Sequence, residues 1–170
     1  MTINLKCKFV KIFFTDMRIK LFLVIALFVF IGSANLKAQE LELKDGYYYK
    51  KDMLYTGTHS EYFENRNLKV QMNIRNGIED GEVLTFFENG QKHEQRSYNE
   101  GKKDGLWINW NQQGTKVAEA RYKDDLKDGD WFIWNDAGIL LYEMHYTLGA
   151  KSGTWKMFDE KGNLTSERNY

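Results

Sequence analysis

The chain has 170 residues, room for one modest domain, and its 24 basic residues balance 24 acidic ones. The balance is uneven: the first 38 residues hold six basic residues (Lys6, Lys8, Lys11, Arg18, Lys20, Lys37) and one acid, Asp16. The remainder therefore carries 18 basic against 23 acidic residues, which argues against a nucleic-acid partner, since such binders carry a basic excess or stripe.

The basic start leads into an unbroken apolar run, Leu21 to Ile31 (LFLVIALFVFI), and then into the small and polar residues GSANLKAQE. That order predicts a secretory signal peptide over 1–38, cleaved after Ala38, with Met17 as an alternative start. Leu36 departs from the small-x-small pattern of a cleavage site. Eleven apolar residues fall short of the roughly 20 that a spanning helix needs. The rival reading is an uncleaved hydrophobic anchor, through which this segment would contact a membrane. Cys7 is the one cysteine and precedes the apolar run, so no disulfide, thiol nucleophile or lipid attachment after that run is expected. The expected location is exported: periplasm, outer envelope or extracellular space.

Residues 39–53 read as a lead-in hairpin, and a repeat occupies the rest. Gly57, Gly81, Gly105, Gly129 and Gly153 are spaced by 24 residues; Gly90, Gly114, Gly138 and Gly162 follow at the same period. Gly77, Gly101 and Gly149 form a third series, with Asp125 filling its gap. Aromatics recur five residues after the leading glycine (Tyr62, Phe86, Trp110, Trp134, Phe158), and Tyr98, Tyr122, Tyr146 and Tyr170 recur at seventeen, where copy one has Ile74. A fixed period of this size marks a repeat architecture. The copies are 54–77, 78–101, 102–125, 126–149 and 150–170.

Each copy predicts a β-hairpin. A short aromatic run follows the leading glycine, a polar turn (ENGQ, QQGT, DAGI, EKGN) reverses the chain, and a second extended run returns. Glycine supplies the positive φ of that turn; copy one has ENRN, so Arg66 or Asn65 takes the position. Asp80-Gly81, Asp104-Gly105, Asp128-Gly129 and Ser152-Gly153 are read as the turns linking copies, with Asx-turn aspartates. The fold class is thus all-β: about five 24-residue hairpins in an elongated, twisted antiparallel meander, after the N-terminal hydrophobic segment.

The copies KDGLWINWNQQGTKVAEARYKDD and EDGEVLTFFENGQKHEQRSYNEG resemble MORN repeats, and more narrowly the bacterial variant found in YwqK-family antitoxins of toxin–antitoxin systems. The opening LKDGYYYKKDMLYTGTHSEYFENRNLK is similar to that family's lead-in, and the resemblance runs from about Leu43 to Tyr170. It implies a toxin as partner and brings no catalytic residues with it.

Chemistry-bearing constellations are sparse. His59, His93 and His145 occupy three different slots of three copies, so no convergence into a metal or catalytic site is expected. One carboxylate per copy at Asp80, Asp104 and Asp128 is thin for the six to eight ligands of calcium. No catalytic residue, metal or cofactor is expected. Strand alternation separates the aromatics by face: Trp110 and Trp134 share one with Leu84, Ile108 and Phe132, and Trp107, Trp131 and Trp155 form a ladder on the other. Burial of aromatics on a concave side is one reading; a contact stripe for peptide, glycan or lipid is the other. On the second, Trp107, Trp131 and Trp155 are the candidate interaction surface. The last strand, LTSERNY, is an open edge suited to self-association.

The expected function is a non-enzymatic, exported interaction module binding another protein, in antitoxin or immunity-like fashion. The alternative is an envelope scaffold contacting membrane or cell-wall material through its aromatics.

Overall fold

The computed structural model of the chain describes residues 40–170; the expected signal segment, its cleavage after Ala38 and the start at Met17 lie outside them. Among the described residues there is no helix, and Leu41–Tyr170 form one unit. A three-stranded lead-in, β1 (Glu42–Lys44), β2 (Tyr47–Lys50) and β3 (Met53–Leu54), precedes a twelve-stranded sheet. That sheet consists of β4 (Gly57–Tyr62), β5 (Leu68–Arg75), β6 (Ile78–Phe86), β7 (Lys92–Asn99), β8 (Lys102–Lys103), β9 (Gly105–Trp110), β10 (Lys116–Lys123), β11 (Leu126–Lys127), β12 (Gly129–Trp134), β13 (Leu140–Thr147), β14 (Ala150–Phe158) and β15 (Leu164–Asn169). Pairing is antiparallel throughout and follows chain order, giving the meander that the period predicts. β8 and β11 are the two-residue starts of strands that resume as β9 and β12 after Asp104 and Asp128. In copies two and five the same stretch is continuous, as β6 and β14, with a register shift at that place.

The turn inside each hairpin is the one the sequence marks. The N–H six residues after the leading glycine donates to the carbonyl four further on in all five copies, from Phe63 to Asn67 through Asp159 to Asn163. The left-handed position falls on Gly90, Gly114, Gly138 and Gly162, and in copy one on Arg66, at φ 70°. Asn111, Asn135 and Asp159 reinforce the turn: each Oδ1 accepts two backbone N–H groups, those of Gln113 and Thr115 in the case of Asn111. Where Phe63 and Phe87 replace them, Asn65 and Asn89 accept one such bond each.

The turns between hairpins are not where the Asp-Gly pairs suggested. They centre on Asn76-Gly77, Glu100-Gly101, Asp124-Asp125 and Leu148-Gly149, with both residues of each pair at positive φ, the conformation of a type I′ reversal. The Asp-Gly pairs lie instead in the strand, where the register slips. At Gly105, φ is 97° and an added Cβ would sit 3.2 Å from Ser97 Cβ, so any other residue would be strained there and would crowd Ser97. The aspartates reach across to the next turn: Asp80 accepts the N–H of Glu100 at 3.2 Å and Asp128 that of Leu148 at 3.0 Å, as Thr56 does for Asn76. Successive turns are also tied to one another, Gly77 N–H to Tyr55, Gly101 to Glu79, Asp125 to Lys103 and Gly149 to Lys127. The lead-in docks on the first of them, through Tyr48 N–H to Gly77 at 2.8 Å.

The sheet is a single layer. Only Ile74, Val83 and Tyr146 among its large apolar residues are less than a tenth exposed, so the expected burial of aromatics is partial: Tyr146 is buried and the tryptophans are half-buried. Trp110, read as a core position, is half-buried like the other tryptophans of the repeats. With little area removed from water, cohesion rests on the ladder bonds and on cross-strand side-chain pairs, each contributing roughly 0.2–1 kcal/mol.

Two outcomes follow from the turns. Arg66→Gly is expected to raise stability by about 1 kcal/mol, because it removes a non-glycine residue from the left-handed region; thermal or denaturant unfolding measures it. At Asp159, the side chain and N–H of Asn163 and the N–H of Lys161 hold the carboxyl below its usual 3.8. Its contribution is therefore present above that value and is lost as pH falls through the lower folded-state value. Asp159→Asn keeps the neutral acceptor found at Asn111 and Asn135, so the melting-temperature advantage of the parent chain over this variant should shrink between pH 6 and pH 2–3. A gap that stays constant with pH would contradict it.

Candidate functional site: an aromatic and lysine stripe

Register builds one continuous row of rings. Gly81, Gly105 and Gly129 pair with Tyr98, Tyr122 and Tyr146, and Tyr170 N–H bonds to Gly153. Each tyrosine thus lies opposite a residue without a side chain. The tryptophan two residues after the glycine shares the tyrosine's face, so the tyrosine leans towards it. Across hairpins, the same tryptophan meets the tyrosine of the previous copy. The result is Tyr98–Trp107–Tyr122–Trp131–Tyr146–Trp155–Tyr170, with centroid separations of 5.5, 5.1, 5.2, 5.4, 5.1 and 5.0 Å and tilted or edge-on planes. Such pairs contribute about 0.5–1.5 kcal/mol each beyond area burial.

The indole nitrogens are also placed. Trp107, Trp131 and Trp155 donate from Nε1 to the carbonyls of Ser97, Arg121 and His145 at 3.0, 3.0 and 2.9 Å. The carbonyls of Ser97 and Arg121 also accept the N–H of Asp104 and Asp128, at the slip in register. The ladder and the bulge support each other.

A row of cations lies over the rings. Lys103 Nζ is 4.8 and 5.1 Å from the centroids of Trp107 and Tyr122, Lys127 is 4.2 and 4.7 Å from Trp131 and Tyr146, and Lys151 is 4.4 and 4.8 Å from Trp155 and Tyr170. Arg96 adds a guanidinium 5.0 Å from Trp107. These are cation–π distances. Burial pushes the Tyr98 and Tyr122 phenols up, while the hydrogen bond from Arg168, with Lys151 beside it, pulls that of Tyr170 down.

The three candidate tryptophans are brought into one line, half-buried rather than enclosed. Beside Trp155 a cavity of about 430 Å³ opens, lined by Tyr142, Met144, Met157, Arg168 and Tyr170 among others. Trp110 and Trp134 belong to the other face, under Lys92 at 5.7 Å and Lys116 at 4.6 Å, with Phe132 5.6 Å from Trp134. The histidines stay apart: His59 is near Glu61, His93 stacks on Phe87, and His145 bonds Asp130 at 2.7 Å. Among the described residues no three His, Cys, Asp or Glu side chains are grouped as metal ligands would be.

Sequence reasoning missed the lysines. Their signal was available, because Lys103, Lys127 and Lys151 recur at the same 24-residue period two residues before the leading glycine. They occur only in the copies that carry tryptophan; copies one and two have Tyr55 with His59, and Glu79 with Val83.

Trp131→Phe should cost about 1 kcal/mol, by losing one hydrogen bond while keeping a ring in the row. Trp131→Ala, which interrupts the row, should cost about 2–4 kcal/mol. Equal costs in chemical unfolding would show that ring contact adds nothing.

Compared with known protein families, residues 79–100 and 151–170 match the model of the MORN repeat variant. These segments fall in copies two and five, and the copies between them carry the same slots. No curated protein matches the chain.

Proposed function

We propose that the chain is a non-enzymatic interaction module that holds another macromolecule along the Trp107–Trp131–Trp155 face. Repeats of the MORN variant generally serve in contact with proteins or membranes. The observation that carries the reading is the half-buried row of rings with lysines laid over it, on a sheet with almost no enclosed interior. Half-buried aromatics on a rigid, open surface suit recognition along a length rather than enclosure of a small substrate. On the first reading the partner is a protein and the role is immunity-like, as the resemblance to YwqK-family antitoxins implies. On this reading the role is exercised outside the cytoplasm, a location supported by the signal-peptide pattern of the first 38 residues. On the second reading the chain is an envelope scaffold; the row of cations favours it, since a fixed positive stripe suits acidic envelope material.

Crosslinking and affinity capture of the tagged full chain from its own cells tests the proposal. The parent chain should retain a partner that Trp107→Ser/Trp131→Ser/Trp155→Ser loses, with circular dichroism checking that the variant keeps its sheet. Full retention by a folded variant would remove the stripe from the function. A mass for the recovered chain beginning after Ala38 would support export.

A further inference from the structure

The stripe has a property that contact with an irregular protein surface does not call for: it repeats itself. Lys103, Lys127 and Lys151 sit in equivalent places on consecutive hairpins, two strand spacings or about 10 Å apart. Among the described residues no carboxylate lies within ion-pair distance of any of them, in contrast to Lys102, Lys116, Lys123 and Lys156 of the same copies. The face they sit on is also poor in negative charge, although Asp125 Oδ1 accepts the backbone N–H of Lys103 at 2.9 Å. Its strand slots lie two, four, thirteen, fifteen and seventeen residues after the leading glycine, paired as Trp131 with Met144 and Ile133 with Tyr142. In copies three to five these slots hold no aspartate or glutamate, although 23 acidic residues follow residue 38. In copy two the one acid in these slots, Glu94, is paired with Arg96 at 2.7 Å.

We propose that this face binds a linear acidic polysaccharide carrying one carboxylate per disaccharide. A site with translational periodicity fits a ligand with the same periodicity. Two equatorially linked sugar rings span about the distance between successive lysines, roughly 10 Å. Lys127 and Lys151 Nζ each donate one hydrogen bond, to Tyr146 and Tyr170 Oη at 3.4 Å, which leaves N–H donors on each ammonium for a uronate oxygen. The half-buried tryptophans and the exposed Tyr170 offer apolar contact to the intervening uncharged sugar. Arg168, beside Trp155, extends the positive row at the end of the stripe. The proposal deepens the scaffold reading and rests on it.

The test uses the full chain and hyaluronan oligosaccharides, followed by calorimetry and tryptophan fluorescence. A hexasaccharide, with three uronates, should bind at least tenfold more tightly than the disaccharide, and added salt should weaken it. Lys103→Gln/Lys127→Gln/Lys151→Gln should weaken the hexasaccharide at least tenfold, while the corresponding triple arginine variant retains it. Should the triple glutamine variant melt early, Lys127→Gln alone should still give a partial loss. Uncharged maltohexaose should not bind. Hexasaccharide binding that is absent, or equal to that of the disaccharide, or untouched by the glutamine variants, overturns the proposal. So does tighter binding of poly-glutamate or of phosphatidylglycerol vesicles, which would assign the row to an acidic peptide or a membrane. A captured partner that needs the tryptophans, without hexasaccharide binding, refutes the polysaccharide alone; absence of both refutes the interaction reading as well.

Discussion

The tilted ring-to-ring contact between a tyrosine on one strand and a tryptophan on the next is the interaction on which this sheet depends. A sheet of one layer has no opposing surface against which to bury its side chains, and here only three large apolar residues are less than a tenth exposed. Lateral contacts must then do what a core does elsewhere. Seven rings in unbroken sequence tie β7 to β15, and the contact is available only because each tyrosine faces a glycine. The glycine is thus needed twice, once for its positive φ at the bulge and once for the space that lets the rings meet. The indole N–H groups then satisfy carbonyls at the same irregularity. Backbone distortion and ring stacking form one device, copied three times.

The two ends of the sheet solve the problem differently. In copies one and two the rows are mainly aliphatic, and Ile74 and Val83, at 3% and 8% exposed, are the best-buried large apolar residues among the described ones. There the lead-in covers the first inter-hairpin turn, and Gly77 is enclosed against Tyr47, Tyr48 and Leu54. From copy three onward tryptophan, tyrosine and lysine take over. The first part is therefore closed off by its own chain, and the second leaves its rows half-buried under the lysines. Any partner of the stripe meets the part of the sheet whose cohesion comes from the same rings.

Much of this was legible from the 24-residue period. Period, strand alternation and the glycine of the hairpin turn follow from local chemistry, and each survives in the structure as read, down to the left-handed Arg66 among the two residues left open. The turns between hairpins were misplaced because Asp-Gly is a stronger local turn signal than Glu100-Gly101 or Leu148-Gly149. Non-glycine residues in the left-handed region are unfavourable alone, and they are held there by bonds from Asp80 and Asp128, on the opposite strand of the same hairpin and twenty residues earlier. The few residues around the turn do not contain that information. The absence of a second layer was hidden for a related reason: aromatic residues at alternate positions look the same whether they are destined for a core or for a row. The lysines were overlooked because a charge every 24 residues resembles ordinary surface until register places it over two rings.

Placing cations over the rings has a consequence for how stability and recognition share these residues. A lysine over a tryptophan and a tyrosine is attracted to both faces, but three such lysines about 10 Å apart also repel one another, and at physiological salt the screening length is of the same order, about 8 Å. Their repulsion is therefore damped but not abolished. An anion laid along the row would remove it without displacing the ammonium from the rings, since the ring attracts from below and the anion approaches from above. Occupancy and ring stacking would then reinforce each other instead of competing for the same cation. A carboxylate from the chain itself in one of the neighbouring slots would remove the repulsion permanently, and would also occupy the donors that a ligand needs. The acid-free slots around Lys103, Lys127 and Lys151 are what keeps those donors open.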